Sequence, residues 1–148
     1  MAQIHKEISK TPFILYQTRI DEIIGIGGSG ILSGHRISKQ PIKYAFYLKK
    51  PFLPIGLPFQ YKTALIATFE SQSDETIITT TIQTPPFVPI AFALAIFWFV
   101  FDFFILKSSA SIEVKVFFTV IALATAVYHS MTKNKVQEAF RNEIMLFL

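Results

Sequence analysis

The chain has 148 residues, of which 51% are hydrophobic, 15% aromatic and only 16% charged, and its formal net charge is +4. That balance excludes a disordered or low-complexity protein, and it is also unlike an ordinary soluble domain, where about 25% of residues are charged. Zero cysteines exclude disulfides, thiolate metal sites and a cysteine nucleophile.

Met1–Lys10 is polar and no apolar leader core follows it, so the N-terminal region is expected to remain cytoplasmic. Thr11-Pro12, then Phe13, Tyr16, Ile20, Ile23 and Ile24, then Gly25, fit a capped amphipathic helix over 12–24. Phe13–Tyr16 also has strand composition, and the helix is the preferred reading. Gly25-Ile-Gly27-Gly-Ser-Gly30 matches the spacing of a dinucleotide-binding turn. That motif needs a preceding parallel strand, a following helix and an acid about 20 residues on. Here Ile31-Leu-Ser-Gly34 opens no helix and lysines stand near position 50, so a plain turn and no cofactor are expected.

Strand signals follow. Lys43–Lys49 alternates Tyr44, Phe46 and Leu48 with Lys43, Ala45, Tyr47 and Lys49. Tyr61–Glu70 alternates Thr63, Leu65, Ala67 and Phe69 with Lys62, Ala64, Ile66 and Thr68. Thr76–Thr84 is β-branched at eight of nine positions, and residues 71–75 between these two runs read as a five-residue hairpin loop. A fourth strand is expected near Ile31–Ile37. Pro51–Phe59 holds three prolines and no charge, which bars a central strand. Its Phe52, Leu53, Ile55, Leu57 and Phe59 are expected to contact the membrane or a partner rather than water.

The chain then turns apolar. There is no Lys or Arg between Lys62 and Lys107, and residues 86–106 carry one charge, Asp102. Their 21 residues would cover roughly 31 Å as a helix, the thickness of a bilayer core. A second span is expected over 112–131, with Ser111 as N-cap, Glu113 in the first turn and Lys115 reaching back to the headgroups. Residues 107–111 suffice only for a tight helical turn between the spans. Asp102 lies near the headgroup boundary and is expected to pair with Lys107 or Lys115, as a structural contact rather than a relay. After the second span, Val136, Phe140, Ile144 and Phe147 share one helical face. That tail could lie in the membrane interface or pack on the N-terminal domain.

No pair among His5, His35 and His129 has metal-ligand spacing, and no serine sits in a nucleophile elbow. No catalytic residue, metal or cofactor is therefore expected. The basic residues are scattered singles with one Lys49-Lys50 pair, which argues against nucleic acid and suits anionic headgroups.

Gly34-His-Arg-Ile-Ser, Tyr44-Ala-Phe, Lys50-Pro-Phe-Leu-Pro54-Ile-Gly56, Thr76-Ile-Ile and the run from Pro86 through Phe97-Trp98-Phe99 resemble a loose group of small, uncharacterised bacterial membrane proteins. The resemblance covers residues 30–105. It implies a β-rich cytoplasmic region followed by a two-helix membrane hairpin, and it implies no activity.

The expected fold is a membrane α+β protein: a small, mainly antiparallel sheet domain over 1–84, a transmembrane helical hairpin over 85–131 and an amphipathic tail helix over 132–148. The chain is expected in the lipid bilayer, of bacterial inner-membrane type, with both termini cytoplasmic. The expected role is a non-catalytic accessory or scaffolding subunit that meets a protein partner or forms a homo-oligomer in the membrane. The alternative is a membrane-coupled binding domain for lipid or another apolar ligand.

Overall fold

Alternation of apolar and polar residues builds an antiparallel sheet. A computed structural model of the chain describes residues 4–24, 30–50, 62–72, 75–101 and 112–146. Its strands are β1 (Ile4–Ser9), β2 (Leu32–Lys39), β3 (Ile42–Leu48), β4 (Ala64–Gln72) and β5 (Glu75–Gln83). They form one five-stranded sheet in the order β1-β5-β4-β3-β2, with every neighbouring pair antiparallel. The helices are α1 (Phe13–Ile24), α2 (Phe87–Phe101) and α3 (Ile112–Phe140), the last widening into a π-helical turn over Arg141–Met145.

The large apolar residues of the alternating runs share one face of the sheet, while Ala45 and Ala64 are buried on the other. Tyr44, Phe46 and Leu48 on β3, Leu65, Ala67 and Phe69 on β4, and Ile78 and Ile82 on β5 all enter one core. On the other face Tyr47, Ile66, Thr79 and Thr81 are half-buried. The core face is covered by α1 through Tyr16, Ile20 and Ile23, and by the end of α3 through Val136, Ala139, Phe140 and Ile144. Phe46 is fully buried, and its ring centroid lies 5.2 Å from that of Phe140. Gly34 is required beside it, because a Cβ there would stand 2.5 Å from the Ala45 carbonyl oxygen.

Three features depart from the sequence expectations. First, Ile4–Ser9 is a strand: β1 pairs with β5 from Ile4↔Thr81 to Ser9↔Thr76. Ser9 then ties the strand to α1, its Oγ accepting from the Thr11 N–H at 3.1 Å and the Tyr16 hydroxyl at 2.8 Å. Second, the ladder between β4 and β5 continues to Gln72↔Glu75, so pairing reaches well into the segment expected as a five-residue loop. Third, β2 runs past Ile37 to Lys39, with an irregularity between Arg36 and Ser38 that leaves Ile37 exposed. The helical reading of 12–24 holds: α1 starts right after Pro12 and buries the face expected.

Candidate functional site

The α3 helix joins two environments. The segment Ile112–Met145 is 34 residues long and contains an 18-residue stretch with a mean hydropathy of 1.5, and by length and composition it is the one described helix able to cross a membrane. Its first half exposes Val116, Phe117, Val120, Leu123 and Val127, whereas its last turns are buried in the sheet domain. The 15-residue α2 is shorter than a span, and residues 102–106 of the expected first span lie outside the described residues. α2 packs beside α3, the Trp98 and Phe118 rings meeting edge to face at 5.8 Å. It also exposes Ile90, Phe92, Ile96, Phe97 and Phe99.

One end of the sheet faces this helical pair. Register aligns the start of β2 with the end of β3 (Leu32↔Leu48), and the starts of β4 and α2 with the end of β5 (Ala64↔Gln83). His129 pins the end of the sheet to α3. Its Nδ1 lies 3.0 Å from the Thr63 Oγ1 and its Nε2 3.4 Å from the Thr84 Oγ1. A hydroxyl can donate or accept, so this pair of threonines satisfies either imidazole tautomer.

Lysines gather at the same end. Lys49 and Lys50 follow β3, with the Lys49 N–H donating to the Ile31 carbonyl at 2.9 Å. The Lys62 ammonium stands 4.7 Å from the centre of the Tyr47 ring. Lys133 and Lys135 follow His129 on α3. A cavity of about 430 Å³ opens here, lined by Ile31, Leu48 and Ala139 with two lysines, Lys50 and Lys135, two glutamates, Glu138 and Glu143, and Asn142. A second cavity, of about 410 Å³, lies between β1 and α3 and is lined in part by His5, Glu7, Thr80, Gln137 and Arg141.

Glu143 closes the fold at this site. Its carboxylate accepts from the Ile31 N–H at 2.6 Å and the Leu32 N–H at 3.4 Å, and its carbonyl accepts from Arg19 Nε at 3.0 Å. A Cβ at Gly30 would meet that carboxylate and oblige it to move. The widened π turn thus links α1, β2 and α3. Glu143→Ala strands two backbone donors and is expected to cost about 1–3 kcal/mol, the range for a lost charged acceptor. Thermal unfolding of the full chain in micelles measures it; a change below about 0.5 kcal/mol, typical of a neutral surface substitution, would show that water replaces the carboxylate.

At the opposite end, Tyr44 lies beneath Arg36, whose guanidinium carbon is 5.8 Å from its ring. Burial pushes the Tyr44 hydroxyl above its usual pKa, Arg36 pulls it back in part, and Asp21 adds to the rise. With the folded value raised, this contribution is intact below the unfolded tyrosine pKa of about 10 and fades as pH climbs from there through the folded value.

The candidate contacts Phe52, Leu53, Ile55, Leu57 and Phe59, and Asp102, lie outside the described residues, as do residues 25–29 of the glycine-rich turn. The three histidines are dispersed: His5 on the edge strand, His35 with its ring 6.3 Å from that of Tyr47, and His129 at the junction. Glu143 and His129 join segments 112 and 66 residues apart, and no local pattern marks either. The nearest signal was the tail's apolar face, whose Val136, Phe140 and Ile144 bring Glu143 to the sheet. No family model, curated protein or solved structure matches this chain.

Proposed function

We propose that the chain is a two-span integral membrane protein of bacterial inner-membrane type that holds its sheet domain against the cytoplasmic leaflet as a non-catalytic accessory or scaffolding subunit. The observation that carries this is the continuity of α3. One unbroken helix exposes an apolar surface over its first half and completes the core of the sheet domain with its last turns. A water-soluble protein rarely exposes so large an apolar surface. In lipid, that surface needs no other cover.

The first span in this reading is the apolar run 86–106, of which α2 is the described part, and two spans place both ends of the chain on one side. The lysines at the membrane-facing end of the domain favour the cytoplasmic side, where positive residues flank spans. Continuity of the helix fixes the domain's height and rotation over the bilayer, which suits a subunit that presents a surface to a partner or to a second copy. The resemblance of residues 30–105 to small bacterial membrane proteins points to the same location. Against the alternative, an apolar ligand between the aromatic strands, stands the packing of these rings on one another: Phe46 lies on Phe140, and Phe69 on Phe13, Tyr16 and Tyr44.

Alkaline carbonate should leave the intact protein in the membrane pellet, and reporters fused to either end should report the cytoplasm. Release by carbonate, or a periplasmic signal at both ends, would refute the membrane topology. Purification in mild detergent should yield a homo-oligomer or a stoichiometric protein partner. A monomer carrying only lipid would instead favour the binding-domain reading.

A further inference from the structure

We propose that β1 is the docking edge for an extended segment of a partner protein, which joins the sheet as a sixth strand and sets an apolar side chain into the cavity between β1 and α3. The inference gives a surface to the accessory-subunit reading above and rests on it. The two edges of the sheet differ. β2 breaks its ladder between Arg36 and Ser38, and such an irregularity blunts an edge. β1 pairs with β5 over six consecutive residues without a break, and residues 5–8 are all exposed. As the first strand in the order β1-β5-β4-β3-β2, it leaves the donors and acceptors of its outer edge to solvent. Another main chain in extended form is the group that matches their spacing.

The side chains define the incoming strand. Register with β5 puts Ile4, Lys6 and Ile8 on the face away from the helices, and His5, Glu7 and Ser9 on the core side. Among the described residues Lys6 has no ion pair. An acid opposite Lys6, between apolar residues opposite Ile4 and Ile8, completes three cross-strand pairs. On the core side the cavity of about 410 Å³ is lined by Leu65, Ile78, Phe140 and Met145, and by Glu7 and Arg141, whose charges offset each other. It therefore suits an apolar side chain. A second copy of β1 fits less well. Two antiparallel copies in one continuous sheet are related by a two-fold axis normal to it. That axis keeps each face on its own side, so opposite residues are both even-numbered or both odd-numbered. The two registers of greatest overlap then centre on Lys6 or on Glu7 and set like charges directly opposite.

A photo-reactive phenylalanine analogue at the exposed Ile8 of the full chain, in living cells, provides the test. It should cross-link to one segment of another protein, located by mass spectrometry, in which an acid stands between two apolar residues at alternate positions. The same analogue at Ile37 of β2, also exposed, should not reach that segment. A synthetic peptide of the segment, titrated into the full chain in micelles, should slow hydrogen exchange of β1 amides by roughly tenfold or more and leave β2 amides unchanged. Lys6→Glu should weaken peptide binding by about threefold or more, as like charges across a strand pair require. Lys39→Glu should not. A peptide with its acid replaced by lysine should prefer the Lys6→Glu chain. The proposal is overturned by cross-links to lipid alone, to β1 of a second copy or to no polypeptide, and by a segment without that pattern. Equal cross-linking from Ile37, unchanged β1 exchange, or equal binding to wild type and Lys6→Glu would overturn it too. A homo-oligomer, or a stoichiometric partner that cross-links elsewhere, ends this proposal alone. A monomer carrying only lipid removes the accessory-subunit reading on which it rests.

Discussion

A chain cut after Lys135 is expected to lose its folded sheet domain while keeping its membrane insertion. The segment removed carries Val136, Ala139, Phe140 and Ile144, four members of the buried cluster, together with Glu143. Truncating a buried Phe costs about 3–5 kcal/mol and a buried Ile about 2–5. Phe140 and Ile144 alone therefore put at risk most of the roughly 5–15 kcal/mol that holds a small domain folded. Uncovering Phe46, Leu65 and Ile78 would also expose apolar area that α1 cannot reach. Hydrogen exchange on the cut chain in micelles should show β3 and β4 amides exchanging at rates near those of an unfolded chain. Protected strands in the cut protein would mean that the domain folds without the helix, and the rigid link between span and sheet would be lost as an argument.

Much of this arrangement could be read from the residues. Tyr44, Phe46 and Leu48 alternate with polar or small partners, as do Leu65, Ala67 and Phe69, and each set points into the core as its period requires. The face of α1 was readable for the same reason, Tyr16, Ile20 and Ile23 falling on one helical stripe. β1 was not. It is an edge strand whose residues 5–8 are all exposed, so no burial imposes a period on its sequence. What holds it is main-chain pairing to β5 and the Ser9 contacts, and main-chain pairing leaves no signature in side chains.

The tail shows a different limit. Its apolar face was evident, but amphipathicity alone cannot distinguish a membrane interface from a protein core. The choice is made by shape: Phe140 and Ile144 fit against Phe46 and the sheet, and the helix arrives there without a break from its apolar half. The site was less legible still. Lys50 and Lys135 are 85 positions apart in sequence, and only the pairing of β2 with β3 and the path of α3 bring them to one cavity. Charge scattered along a chain can be concentrated in space, which is why a sequence with no basic stripe still carries a basic end.

Phe46→Ala is expected to destabilise the sheet domain by about 3–5 kcal/mol, and Phe140→Ala by a similar amount. Both rings are almost fully buried, at 0% and 4% exposure, and they lie 5.2 Å apart with a 57° tilt. Phe46 also borders Gly34 and Tyr44, so the space its ring leaves has stiff walls and cannot collapse well. The informative variant is the double one. If the two rings support each other, the second truncation enlarges a cavity that already exists and removes a contact already lost. The combined cost should then fall short of the sum by about 0.5–1.5 kcal/mol, the coupling expected of a packed aromatic pair. Phe13→Ala, on the far side of Phe69, supplies the comparison and should add independently to Phe140→Ala. Thermal unfolding followed by far-ultraviolet circular dichroism of the full chain in micelles measures all the variants. Strict additivity of Phe46 and Phe140 would mean that helix and sheet are neighbours without being energetically joined. A clear shortfall, with additivity for Phe13, would locate the coupling of span to domain at the contact between β3 and the end of α3.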